Sequence, residues 1–414
     1  MSILHSLAND AFIALQGLTG AISAYQVALS LAGLKKKSEE IKNPPEKTFA
    51  VLVAAHNEEE VIAPLIENLQ NLDYPRDMYD IFVICDNCTD HTADIVRKHG
   101  AIALERHDKE KRGKGYAIEW ALERLWEMEK EYDAVVMFDA DNLVAKNFLR
   151  EMNEKLCQGA RVIQGYLDTK NPFDSWISIS YAVAYWFTNR MWQLARYNLN
   201  LPNALGGTGI CIETALLKEI GWGATSLTED LEFTVRCVDR GINPVWAHNA
   251  KVYDEKPLTL KASMRQRIRW MQGHFDCARK YMFPLLRKAI VTRNLSMFDS
   301  ALYLFQPMRL LIVLFTSIML YLQVGYPEFF QLTNLSAILP NWFWIVVNVL
   351  LYLQMPLAML LERVPWKAYL GLIIFPLFVF TWFPVTVAGY FTRNNREWSH
   401  TVHTRAVRLE EISH

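Results

Sequence analysis

Apolar and polar positions are segregated along this chain. From Ala11 to Leu34 no residue is charged, and Lys35-Lys36-Lys37 follows at once. A stretch of about 24 such residues is long enough to cross a hydrocarbon core as a helix. A basic flank behind the apolar run, with no small-residue cleavage site, reverses the order of a secretory signal. Lysines just beyond a span mark the cytosolic side, so the next segment is expected in the cytosol. Asn43-Pro44-Pro45 reads as part of a linker over residues 35–46.

From residue 47 to about 290 the period changes. Thr48–Ala54 (TFAVLVA), Ile81–Cys85 (IFVIC) and Ala134–Phe138 (AVVMF) are short β-branched or aromatic runs bounded by polar residues, and they predict strands. Between them, Glu60–Leu72, Thr92–His99 and Gly115–Lys130 carry helical spacing. The alternation predicts an α/β domain with a mostly parallel sheet, in which ligands gather at the carboxyl ends of the strands. Trp176–Arg196 is aromatic with sparse charge, which suits either a core helix or one lying on a membrane surface.

The C-terminal third turns apolar again. Leu302–Val324, Leu339–Leu361 and Ala368–Thr392 are each long enough to span. The loop between the first two has no Lys or Arg and holds Glu328, which suits the outside. The turn from Glu362-Arg363 to Lys367 suits the inside. A third full crossing would place Arg393, Arg396, Arg405 and Arg408 outside, whereas Pro376 and Pro384 permit a broken or re-entrant segment. The expected organisation is an N-terminal transmembrane helix (1–34), the linker (35–46), a cytosolic α/β domain with interfacial helices (47–290), a membrane region (291–392) and a polar tail (393–414).

Composition agrees with that division. A chain of 414 residues exceeds one ordinary domain. It is 51% hydrophobic and yet 21% charged, which segregation reconciles. Clustering of three apolar stretches speaks against buried core helices of a soluble protein. The net charge of -1 gives no global field that would attract nucleic acid. Of the six cysteines only Cys85 and Cys88 are close, with no second pair for zinc, so reduced cytosolic thiols are expected.

Candidate chemistry sits where the strands end. AVVMF delivers Asp139 and Asp141 two residues apart. Such carboxylates suit Mg²⁺ or Mn²⁺, hard ions that take oxygen ligands and leave positions for phosphate oxygens; a solvated turn is the plainer alternative. The first strand ends in Ala54-Ala55-His56-Asn57-Glu58-Glu59 and the second in Asp86-Asn87-Cys88-Thr89-Asp90. Their carboxylates and amides suit a ribose and a base, while Asp86–Asp90 also suits an Asx-turn and helix N-cap. Arg112-Gly113-Lys114-Gly115 offers a glycine-flanked cation to phosphate but lacks Walker A spacing.

Thr228-Glu229-Asp230 precedes a helical stretch, Leu231–Arg240. Thr228 or Asp230 is then a helix cap, or Asp230 is a general base for an acceptor hydroxyl. In Gln266-Arg267-Ile268-Arg269-Trp270, residues Gln266, Arg269 and Trp270 share one helix face. The guanidinium suits phosphate and the indole a sugar ring; an amphipathic juxtamembrane helix reads equally well.

Together these motifs resemble, in order, the family 2 glycosyltransferases with a GT-A catalytic domain. The likeness is greatest to the membrane synthases of hyaluronan, chitin, cellulose and poly-N-acetylglucosamine. It covers residues 47–290 and the membrane layout, although the Asp86–Asp90 turn is one residue shorter than the family's and lacks its glycine. The resemblance implies inversion by single displacement from a UDP-sugar, giving a β-linkage, with Mg²⁺ or Mn²⁺, at the cytosolic face of the plasma membrane. It implies that Asp86 contacts the uridine, Asp139 the nucleotide, Asp139 and Asp141 the metal, and that Asp230 is the base. Ala55, Asn57, Glu58 and Lys114 are implied donor contacts. Gln266, Arg269 and Trp270 would hold the diphosphate and the acceptor end, with Thr228, Glu229 and Gly207 on the acceptor side.

The expected product is a β-linked polysaccharide, with export an option. The alternative is one sugar passed to a lipid carrier or membrane glycolipid, which the Gln-x-x-Arg-Trp face disfavours. A transporter with a nucleotide-binding domain would place ionisable groups inside its spans, where only Arg309 is found.

Overall fold

The computed structural model describes residues 3–37, 39–223, 226–327, 340–395 and 407–412. Glu328, Arg396 and Arg405 lie outside the described residues. The α/β portion holds a sheet of eight strands. These are β1 (Phe49–Ala55), β2 (Tyr79–Asp86), β3 (Ile102–Arg106), β4 (Ala134–Asp139), β5 (Leu143–Val144), β6 (Val162–Thr169), β7 (Ile210–Glu213) and β8 (Val245–Asp254), in the order β3-β2-β1-β4-β7-β6-β8-β5. Strands β1 to β4 are mutually parallel, and β6 is parallel to β8. Strand β7 runs antiparallel to β4 and β6, and β5 to β8. The sheet is mixed and mostly parallel, as the alternating pattern implies.

The central strands are apolar on both faces because helices cover both. Phe49, Val51 and Val53 pack with Leu65 and Leu69 of the helix Ile62–Gln70. Ala50 and Leu52 pack with Ala121 and Leu125 of the helix Lys114–Trp126 on the other side. After β1 the chain builds β2 and β3 outward, then returns to lay β4 on the opposite side of β1. That reversal opens a crevice at the carboxyl ends of β1 and β4.

The helix Trp176–Phe187 starts with a capping box in which Ser175 and Ser178 exchange hydrogen bonds. It buries Ile177, Tyr181, Val183 and Trp186, and part of that packing is against Met359, Phe375 and Phe378 of the apolar C-terminal segments. Beyond it the backbone widens to a π-type turn over Thr188–Leu194.

Among the described residues, four helical segments are long and apolar enough to cross a membrane: Ser6–Leu34, Gln306–Gly325, Trp342–Leu361 and Trp366–Phe391. Several of their ends are tied to the α/β portion. Arg190 donates to the carbonyls of Gly33 (2.7 Å) and Leu34 (2.9 Å), where the first segment ends. A side chain at Gly33 would collide with the Arg190 carbonyl. The same arginine pairs with Glu362 (3.2 Å), directly after the third segment, and His248 lies 3.3 Å from that carboxylate. Arg309 donates to Gln26 (2.7 Å) and Ser23 (2.8 Å), so this charge joins the first two segments instead of lining a path.

The fourth segment is not one helix. Gly371–Phe380 and Trp382–Phe391 meet at Thr381. Pro384 has no N–H to offer the carbonyl four residues earlier, which is a sufficient cause for the break. The first half packs on Trp176–Phe187, with Gly371 against Ile179. The second packs on the helix Leu260–Cys277, with Gly389 against Met271, and Gln272 donates to the Thr392 carbonyl (3.0 Å). Both halves therefore lie against helices of the α/β portion.

Candidate active site

A cavity of about 450 Å³ occupies the crevice at the ends of β1, β2 and β4. Ala55, Glu58, Asp86, Lys114, Asp139 and Asp141 line its strand side. Gly207, Thr228, Glu229 and Asp230 line the facing side, and Gln266, Arg269 and Trp270 close it from the helix Leu260–Cys277. Of the expected site residues, Asn57 does not line this cavity. It takes a left-handed conformation (φ 54°), and its side-chain oxygen accepts from the Thr89 amide (2.7 Å), so it stitches two strand-end loops together.

The short turn after β2 is held by local substitutes for glycine. Asn87 takes the left-handed conformation (φ 53°), which asparagine tolerates better than most residues. Its amide donates to Asp86 (2.9 Å) and to the Asp108 carbonyl (3.0 Å). Asp90 accepts from the Thr92 hydroxyl (2.6 Å) and the Glu59 amide (3.2 Å). Arg106, on the neighbouring strand β3, pairs with Asp86 at 2.6 Å. Burial raises the Asp86 pKa, and Arg106 opposes that rise.

Lysine 114 opens its helix behind Gly113, pairs with Asp139 and donates to the Gly207 carbonyl (2.6 Å). Its ammonium is held charged: burial disfavours it, but Asp139, Glu229 and Asp230 together raise its pKa. The Asp139 amide donates to Asn142 (3.1 Å) and Thr208 (3.2 Å). Asp141 accepts from the Glu255 amide (3.0 Å), and Lys170 reaches its carbonyl (2.8 Å). Asp254, at the end of β8, faces the same carboxylates: burial raises its pKa, as do Asp141 and Asp139, while Lys256 pairs with it at 2.5 Å.

These are oxygen donors only, the set that Mg²⁺ or Mn²⁺ takes. Among the described residues no three His, Cys, Asp or Glu side chains are disposed to enclose an ion by themselves. An ion here would share its coordination with phosphate oxygens and water.

Asp230 lies in the first turn of the helix Glu229–Asp239, and one of its oxygens accepts from the Leu231 amide (2.7 Å). Thr228 stands at the N-cap position without a side-chain cap. Gly207 (φ 82°) brings its backbone beside the other Asp230 oxygen, 3.4 Å from where a Cβ would stand. Enclosure, then the charge of Glu229, pushes the Asp230 carboxyl up to about 7, against the pull of the Leu231 amide and Lys114. Gly273 lets the helix Leu260–Cys277 approach Thr228, whose hydroxyl would lie 2.5 Å from an added Cβ.

A second chamber of about 320 Å³ adjoins the first, and the two share Tyr185, Leu231, Trp270, Tyr303 and Trp382 as walls. Tyr181, Trp192, Trp246 and Phe378 complete an aromatic lining, with the buried Arg196–Asp299 pair (2.8 Å) at one side. His274, by the shared wall, donates from Nε2 to the Tyr303 carbonyl (3.2 Å), and burial lowers its pKa to about 4, so the ring is neutral. Sequence reasoning missed Asp254, Lys256, Tyr185, Tyr303 and Trp382. Asp254-Glu255 carries a signal, since it ends a strand as Asp139 does. Tyr303 and Trp382 carry none, because their apolar surroundings read only as membrane.

The profile described as Glycosyltransferase like family 2 matches residues 44–273, more than half of the chain. The chain belongs to that family. It is 28% identical over 293 residues to a beta-monoglucosyldiacylglycerol synthase of Nostoc sp., covering 67% of this chain and 59% of that one. It is 24% identical over 300 residues to a poly-beta-1,6-N-acetyl-D-glucosamine synthase of Staphylococcus aureus, covering 70% and 69%. The chain spans about three fifths of the length of the first curated relatives it matches. Its fold is GT-A. A mannosyltransferase of Pyrobaculum calidifontis, solved with GDP-Man and Mn²⁺, superposes with a TM-score of 0.57 at 16% identity, over 93% of this chain and 98% of that one.

Proposed function

We propose that this glycosyltransferase moves one sugar from a UDP-sugar to a hydroxyl borne by a membrane lipid, with inversion, at the cytosolic face of the plasma membrane. The strand side holds the donor. Asp86 accepts from the base, Ala55 and Glu58 flank the nucleoside, and Lys114, Gln266 and Arg269 face the diphosphate. Mg²⁺ or Mn²⁺ on Asp139 and Asp141 would neutralise the charge that develops on the departing diphosphate. Asp230 takes the acceptor proton, and a pKa of about 7 suits a base working near neutrality. Thr228, Glu229 and Gly207 border the acceptor, and Trp270 offers it a stacking face.

The observation that carries the lipid reading is the aromatic chamber, which joins the Asp230 cavity and is walled by the apolar segment Trp366–Phe391. The printed name of the Nostoc relative supports it. In this reading the first three apolar segments cross the bilayer. The fourth lies along the inner face, which keeps Arg393 on the cytosolic side with Lys35, Arg363 and Lys367. Three crossings give little wall for a polymer channel within one chain.

The second reading, extension and export of a β-linked polysaccharide, is favoured by the shared face of Gln266, Arg269 and Trp270 and by the Staphylococcus relative. Product length separates the two. Membranes carrying the chain are incubated with Mn²⁺ and labelled UDP-glucose, UDP-GlcNAc, UDP-galactose or UDP-glucuronate. One discrete organic-soluble product is expected. A ladder or high polymer replaces the lipid reading, and no nucleotide release from any donor removes both.

A further inference from the structure

Arg267 lies between the two motif residues that face the donor, yet it points the other way. It is fully buried (0% exposed) in the helix Leu260–Cys277. Its Nε donates to the Ser263 carbonyl (3.4 Å), and Nη1 and Nη2 have no hydrogen-bond partner among the described residues. The neighbouring Tyr181 hydroxyl bonds with Ser263 (3.1 Å) and Gln266 (3.3 Å) and stands near enough to the guanidinium to favour its charge. What the guanidinium does meet is aromatic: its carbon stands 4.4 Å from the ring centre of Phe378 and 4.9 Å from that of Trp382.

Those two rings sit on either side of Thr381, where the fourth apolar segment breaks. Both also wall the aromatic chamber, and Trp382 walls the Asp230 cavity as well. A buried cation without an ion partner is costly, and an apolar side chain of similar volume is expected to be at least as stable there. Packing alone therefore does not explain a guanidinium at this place. A desolvated cation over two aromatic faces, by contrast, fixes the rings in direction as well as distance.

We propose that Arg267 is a positioning residue for the acceptor: it holds the broken segment so that Phe378 and Trp382 shape the passage between chamber and base. The path runs from the break, through Arg267, to the helix face bearing Gln266, Arg269 and Trp270. Phe378 closes a second link, packing edge-on to Tyr181 at 5.1 Å, whose hydroxyl reaches Gln266. The proposal rests on the reading that the acceptor enters through the chamber.

The full chain in detergent micelles, with Mn²⁺, labelled UDP-glucose and dioleoylglycerol, tests it through Arg267→Met and Arg267→Lys. Arg267→Met is expected to raise the acceptor KM about 30-fold, the ratio matching a desolvated cation–π contact. The donor KM and the slow release of UDP to water stay within about two-fold, and thermal stability does not fall. Arg267→Lys, which returns a cation to the rings, recovers most of the loss. An acceptor KM unchanged in Arg267→Met overturns the proposal, as does a loss shared equally by donor and acceptor. Should the wild-type chain glucosylate no diacylglycerol while releasing UDP, the lipid reading fails on its own. Hydrogen exchange over Trp382–Phe391 then decides for Arg267: about ten-fold faster exchange in Arg267→Met supports the clamp, and an unchanged rate overturns it.

Discussion

On the strand side of the cavity, Asp86 is held by Arg106, Asp139 by Lys114 and Asp141 by the Glu255 amide. On the helix side, Trp270 meets Tyr181 edge-on at 6.2 Å, and the walls beyond are Tyr303, Phe378 and Trp382. The first surface is built from directional contacts between charges and dipoles, so each group has one working position. The second is built from ring packing, which fixes shape but tolerates several partners of similar volume. A diphosphate and a metal suit the first, and an apolar or pyranose acceptor suits the second. Asp230 sits on the seam. Substitutions on the strand side should abolish chemistry, while those among the rings should grade acceptor affinity.

The largest effect is expected at the seam. Asp230→Asn keeps shape and hydrogen bonding but cannot take a proton, so transfer should fall by about 10³-fold or more while UDP binding stays within about two-fold. Turnover near the wild-type value, with UDP affinity measured by calorimetry, would show that the proton goes elsewhere. Asp141→Ala comes next. It removes one of the two carboxylates proposed to hold the metal, so activity should fall about 10²-fold and lose its response to added Mn²⁺. Activity that still rises with Mn²⁺ would move the ion off this strand end.

How far the two sides were legible in the sequence follows from the same contrast. Strand ends announce themselves, because a run such as AVVMF must stop where the chain leaves the sheet, and Asp139 and Asp141 stand there. Hence β1, β2 and β4 and nearly all the expected lining residues could be read ahead of the structure. Strands β6 and β8 could not, since Gln164, Asp168, His248 and Lys251 interrupt their apolar runs. The role of Asn57 in bridging loops was hidden as well, because amide and carboxylate look alike as ligands until φ is known. The aromatic chamber is made by helices far apart in sequence, and no local pattern records their meeting.

A smaller effect separates the two sides through the backbone. Gly273 on the helix side faces Thr228 so closely that a methyl group would stand 2.5 Å from its hydroxyl and 2.7 Å from its amide nitrogen. Gly273→Ala must push the helix Leu260–Cys277 away, at a cost of about 1–3 kcal/mol in stability. Acceptor KM should rise more than donor KM, since Thr228 and Trp270 on the acceptor side are both displaced, whereas the donor keeps Asp86, Lys114 and Asp139 and is disturbed only through Gln266 and Arg269. Equal stability by urea unfolding would mean that the approach is looser than these distances.

The smallest expected effect is the most specific to the seam. A base must be ionised to act, so if Asp230 with its pKa of about 7 fills that role, the acid limb of kcat/KM should fall tenfold per pH unit below that value. After enclosure, the charge of Glu229 is the next cause holding that pKa up. Glu229→Gln removes the like charge and keeps the side-chain volume, so the Asp230 carboxyl becomes more acidic and the limb moves to lower pH. The variant should therefore retain a larger share of its plateau rate at pH 6 than the wild type does, while the profiles converge above pH 8 as both carboxyls become fully ionised. A displacement of a fraction of a unit is resolvable in a full pH profile. If the limb stays in place, the titrating group lies among the donor-side carboxylates, and the seam loses its claim to the proton.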